Sequence, residues 1–326
     1  MWRETQAGLD LRPMLRLRLG RPVSGQGQPV AVYAYDPGGL RTRVMSPTAW
    51  SWDPLILLSV GLVAIVYARG LRRIRRRTRR AAPELWRAWA FGSGLAILIV
   101  ALQSPISTYD NSLFSMHMLQ HMLLALGAAP LLLMGAPLLP FLWGLPDQER
   151  RGVGRLLGRH GPLQRFGHRI TQPVVAAVLF LGTLALWHVP VLYDAAQGRS
   201  ITHNLEHALL LGTAVLFWWP LLPPTDSSQR LERGLAVVYL AAAAVEGTVI
   251  GALLTFSSEP LYTTYRLAPR IAELSVLQDQ QLAGLIMWVP SGLVYLSAIL
   301  VQVGLLLRSD ERDDPSSVDS SVATLS

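Results

Sequence analysis

Five of the seven histidines in this chain fall into a pattern that could do chemistry. His117 and His121 are four residues apart, so are His203 and His207, and His188 stands between the two pairs. Residues four apart share one face of a helix, with their side chains about 6 Å from each other. Paired imidazoles on such a face are a recurrent way of holding a metal ion. The chain has no cysteine, which excludes disulfides and thiolate sites. A metal would therefore be held by imidazole, thioether, carboxylate or backbone oxygen. Met116, Met118 and Met122 surround the first pair, and Met287 lies further along. Imidazole with thioether and without thiolate suits copper, Cu(I) above all.

The residues alone leave other readings open. Zinc could be held by the histidines with Glu206 or Asp279, and a haem could sit between facing pairs. A lone membrane histidine most often ties two helices together by a hydrogen bond, and methionines more often pack than ligate. The histidines thus rank above Met118 and Met287 as ligands. HNLEH at 203–207 also matches the H-x-x-E-H pattern of inverted zinc proteases. The companion segment HMLQH at 117–121 has Gln120 where an acid would stand, which suggests two ligand helices and a non-enzymatic role. Two further carboxylates stand out. Glu246 falls in the middle of an apolar run, so it is either protonated and hydrogen-bonded or part of a proton or metal path. Asp279, in D-Q-Q ahead of another apolar run, could be a ligand, a partner orienting a histidine or a helix N-cap.

The elements that must position these residues are membrane helices. Of the 326 residues, 51% are hydrophobic and only 15% are charged, against about 25% charged in a soluble domain. Mean hydropathy is +0.33. Crossing the bilayer takes about 20 apolar residues in a helix, and an open sheet in lipid would leave backbone groups unpaired. Seven stretches fit: Pro54–Leu71, Trp86–Gln103, Leu113–Met134, Pro173–Leu192, His203–Leu222, Leu235–Phe256 and Gln281–Leu307. The fold class expected is all-α, a polytopic transmembrane bundle of about seven spans over residues 47–308. Residues 1–46 and 309–326 are expected to be disordered extensions, and the first 45 contain no apolar core run of a signal peptide.

All basic residues are arginine, and the net charge is +8. The arginines gather in alternate loops, as RRIRRRTRR at 72–80, between Asp147 and Gln172, at Arg230 and Arg233, and at Arg308 and Arg312. Such loops face the cytoplasm, so the N-terminus is expected outside and the C-terminus inside. The arginines of the N-terminal extension run against this rule and are outweighed by the 72–80 block. Topology signals account for the positive charge without nucleic acid. Trp50, Trp52, Trp86, Trp89, Trp218 and Trp219 flank spans, as in an interfacial belt. On this topology all five histidines lie in the outer third of the bilayer. Prolines 130, 137, 140 and 290 mark breaks that could open space for a site.

HMLQHMLLALGAAPLLLMGAPLLP at 117–140 and DQQLAGLIMWVPSGLVYL at 279–296 resemble the CtaG-like cytochrome c oxidase assembly factors. These are the multi-span bacterial kind associated with caa-type oxidases. The W-H-x-P element at 187–190 and HNLEH fit the same pattern, and the resemblance covers roughly 48–307. It implies a protein of the bacterial cell membrane that helps mature a haem–copper oxidase by delivering or inserting copper. The implied partners are the oxidase catalytic subunit and an extracytoplasmic copper chaperone, besides the lipid bilayer. It implicates His117, Met118 and His121, then His188, His203 and His207, then Asp279, Gln280 and Gln281. The N-terminal 45 residues match nothing in the pattern. A separate single-span copper chaperone of the same oxidase uses cysteines, so this chain is not of that kind. A haem b-binding electron carrier and a copper transport or tolerance permease, with Glu246 on its route, are the alternatives.

Overall fold

The computed structural model describes residues 46, 48–77, 84–156, 161–197, 200–223, 230–269, 271 and 274–313. Nearly all of the N-terminal extension, the end of the 72–80 arginine block, Arg159, His160 and residues 314–326 lie outside them. Among the described residues the protein is all helix, without strands.

The chain opens with α1 (Pro54–Arg77), α2 (Leu85–Gln103) and a short α3 (Pro105–Tyr109). The Asp53 carboxylate accepts the amides of Leu55 at 2.8 Å and Ile56 at 3.4 Å, which caps α1. Next come α4 (Phe114–Met122), a π-helical turn (Leu123–Ala128) and α5 (Ala129–Met134), which form one span. The π turn has a local cause. Pro130 has no amide to offer Leu126, and its ring crowds that carbonyl. The ladder widens, and the Ala129 amide bonds to the Leu124 carbonyl five residues back. Trp218 donates its indole N–H to the Ala125 carbonyl at 3.0 Å. Trp218 is 5% exposed, so it is a bundle-interior donor rather than the belt residue expected of it. Trp52, Trp86 and Trp89 are exposed.

The chain continues through α6 (Leu138–Gly144), α7 (Asp147–Leu156), α8 (Pro162–Ile170), α9 (Pro173–Trp187), α10 (Pro190–Gln197) and α11 (Ser200–Trp218). It ends with α12 (Arg233–Thr255), α13 (Thr263–Leu267) and α14 (Val276–Asp313). Thus α14 runs past 308 into the stretch expected to be disordered.

Among the described residues, five helical stretches are long and apolar enough to cross a membrane, and the α8–α9 pair, bent by 64°, makes a sixth if it is one span. The difference from the expected seven falls on the fourth and fifth stretches. The fourth is divided, because α9 stops at Trp187 and Pro190 starts α10. The fifth, α11, has 19 residues, but His203, Asn204, Glu206 and His207 lower the hydropathy of its first turns.

Side chains pack in two clusters. Tyr67, Phe91, Leu95 and Leu124 fill the space between α1, α2 and the π turn. Phe114, Met118, Phe180, Phe217, Leu240 and Met287 fill the larger one, between α4, α9, α11, α12 and α14. The long contact of α12 with α14 depends on Gly284, which lies against Gly251 and Thr255 where a side chain would collide. Outward positions such as Leu58, Leu62, Val174, Val178, Leu253 and Leu293 are apolar and exposed, as hydrocarbon surroundings require.

Candidate metal centre

The site is built at the end of the bundle where α4 and α11 begin. No side chain of its own segment caps α4. Asp279, on the first turn of α14, does so instead. Its Oδ2 accepts the Phe114 amide at 2.7 Å, and its Oδ1 accepts the Ser115 amide at 3.2 Å and the Ser115 hydroxyl at 2.5 Å. A carboxylate there satisfies orphan amides and complements the helix dipole. The next two residues pin the 257–261 loop. Gln280 Oε1 accepts the Leu261 amide at 2.6 Å, and its Nε2 donates to the Glu259 carbonyl at 3.3 Å. Gln281 Nε2 donates to the Ser257 carbonyl at 3.3 Å. Asp279 therefore fixes where α4 starts and, through it, the height of the first histidine pair, while Gln280 and Gln281 hold the adjoining loop.

Helical spacing then brings four imidazoles together. Ring centroids lie 4.1 Å apart for His117–His121 and 4.4 Å for His203–His207. Between helices they lie 5.4 Å apart for His117–His203 and for His117–His207, and 5.2 Å for His121–His207. His117, His121 and His207 bring one donor atom each within 4.8 Å of one another, and all three are buried. Glu206, fully buried, completes the inner face, with Oε1 3.3 Å from His117 Nε2 and 3.6 Å from His121 Nε2.

Several donor atoms here have no hydrogen-bond partner among the described residues: both ring nitrogens of His121, Nε2 of His203 and of His207, and Oε2 of Glu206. Buried polar atoms are nearly always paired, and leaving one unpaired costs about 1–3 kcal/mol. A bound cation would satisfy imidazole lone pairs and carboxylate oxygens together. The donor set therefore fits a metal ion.

Two participants carried no sequence signal. Asp110, just after α3, is 1% exposed and places Oδ2 3.7 Å from His203 Nε2. With His117 and His203 it forms a second group of donor atoms within 4.8 Å. Its other oxygen accepts from Asn111 Nδ2 at 2.7 Å, and its carbonyl accepts the Tyr265 hydroxyl at 2.9 Å. Gln197, on α10, lies 3.3 Å by its Nε2 from His117 Nδ1. Tyr193 packs edge to face against both His117 and Phe114, and Tyr262 and Tyr265 lie tilted against Phe114, with the Tyr193 and Tyr265 hydroxyls 2.6 Å apart.

The remaining candidates belong to neither donor group. His188 caps the end of α9, with Nδ1 2.7 Å from the Leu184 carbonyl, and joins neither donor group. Its Nε2 is buried without a partner. Asp279 belongs to neither group, its carboxylate being engaged by α4. Met118 and Met287 are buried in the larger apolar cluster. Glu246 stands at mid-length of α12, with Oε2 buried and unpartnered.

The profile of the cytochrome c oxidase caa3 assembly factors matches residues 65–309, three quarters of the chain. The chain belongs to that family. Uncharacterized proteins of Mycobacterium bovis and Mycobacterium tuberculosis are each 30% identical to this chain over 271 residues, covering 81% of this chain and 40% of theirs. One of Mycobacterium leprae is 27% identical over 279 residues, with the same coverage. The chain thus spans about two fifths of the length of the curated relatives it matches. No solved structure matches it.

Proposed function

We propose that this protein holds copper in its buried histidine layer and assists its insertion into the catalytic subunit of a caa3-type cytochrome c oxidase. It acts as an assembly factor of the bacterial cell membrane rather than as an enzyme. An extracytoplasmic chaperone supplies the copper to the end of the bundle where α4 and α11 begin. Seven spans, with that end outside and the arginine-rich loops in the cytoplasm, would present the layer to such a donor.

One observation carries the reading. His117, His121 and His207 converge within 4.8 Å beside Glu206, in a member of an oxidase assembly family. Imidazole donors without cysteine favour copper over a thiolate-bound metal. A bis-histidine haem would need imidazoles on opposite faces of a macrocycle, whereas centroids 4.1–5.4 Å apart leave no slot for one.

Oxidase purified from strains carrying His117→Ala or His207→Ala tests this directly. The expected result is an oxidase depleted of copper, with the variant present in membranes at the wild-type level. Full copper content in that oxidase would contradict the proposal.

A further inference from the structure

We infer that the histidine layer contains two metal positions in series, joined by His117: an entry position formed with Asp110 and His203, and a holding position formed with His121 and His207. The inference rests on the copper-holding reading and adds to it a residue and an order. His117 faces His203 at 5.4 Å, and one turn further along both helices His121 faces His207 at 5.2 Å. The histidine-bearing turns of α4 and α11 therefore run side by side in the same direction, with the rings of the two levels 4.1 Å apart along α4 and 4.4 Å apart along α11.

The levels differ in access. The difference lies in His203, whose side chain is 12% exposed, whereas Asp110, His117, His121 and His207 are all buried. They also differ in donors. Asp110, His117 and His203 offer a carboxylate with two imidazoles, while His117, His121 and His207 offer three imidazoles, with Glu206 Oε1 beside two of them. A carboxylate at the more open level attracts a cation as it leaves water. Imidazoles at the deeper level suit a softer ion. Unpartnered nitrogens occur at both levels, on His203 and on His121 and His207.

Transfer is a ligand substitution. Bonds to Asp110 and His203 break as bonds to His121 and His207 form, His117 stays engaged, and the oxidation state of the ion is unchanged. No oxidant or reductant is needed.

The full-length protein in detergent, offered Cu(I), gives two readouts: the rate of copper uptake, and the copper retained per chain after gel filtration. Asp110→Asn and His203→Gln should each slow uptake by about tenfold or more while retaining the wild-type amount. His121→Ala should retain none. Elution volume and thermal melting, measured on each variant, report folding, and the near-isosteric Asp110→Asn guards against a folding defect. If Asp110→Asn and His203→Gln load at the wild-type rate, or lose retained copper as His121→Ala does, there is no separate entry position. If wild type itself retains no copper, the underlying copper reading fails first.

Discussion

Glu206 shows how much one residue decides at this site. It is buried, its Oε1 faces two imidazoles, and its Oε2 has no partner. An isolated carboxylate in such surroundings is costly, so its presence favours a cationic occupant. Glu206→Gln keeps the shape and removes the charge. The expected result is copper affinity weaker by about 10–100-fold, read by competition with a chromogenic Cu(I) chelator, with little change in melting temperature. An unchanged affinity would leave Glu206 without a role in holding the ion. The four clustered histidines were legible from spacing, because i, i+4 pairs on two helices are a local pattern. Asp110 was not, since a lone aspartate in a loop has no periodicity. Asp279 was legible as a residue of interest, but its engagement is with residues 164 and 165 positions away, which no local rule encodes.

At the scale of elements, the position of α4 depends on a cap supplied by another helix. Asp279→Ala removes acceptors from two buried amides and a hydroxyl. The expected cost is about 2 kcal/mol, seen as a lower melting temperature in the copper-free protein. Asp279→Asn should recover part of it. A residue acting only as a ligand would leave the copper-free melting temperature unchanged. The helical class and the main apolar segments were readable from composition and length. The breaks were only half readable. Pro130 predicted a disturbance, but its outcome, a π turn whose Ala125 carbonyl is taken by Trp218, required the position of α11. The same contact explains why Trp218 left the expected aromatic belt. The fifth expected stretch is a helix, α11, whose polar first turns leave it short of the apolarity of a span.

At the scale of the molecule, copper delivery depends on which end of the bundle faces the donor. The absence of cysteine makes this accessible to experiment, since any introduced cysteine is unique. Gln148 and Glu259 are both exposed and belong to loops expected on opposite sides. In intact cells a membrane-impermeant maleimide should label Glu259→Cys and spare Gln148→Cys until the membrane is opened. The reverse pattern would turn the histidine layer towards the cytoplasm and require a cytoplasmic copper source. The arginine distribution carried this expectation in the sequence, while the meeting of α4, α11 and the loop after α3 at one end emerged only from the fold.

The most direct test of the copper claim is metal analysis of the detergent-purified protein after copper loading, wild type beside the His117→Ala, His121→Ala, His203→Ala, His207→Ala quadruple variant. The account requires copper to stay with the wild type and to be absent from a folded quadruple variant. Equal copper in both, or none in either with both folded, would contradict it and leave these histidines as ties between helices.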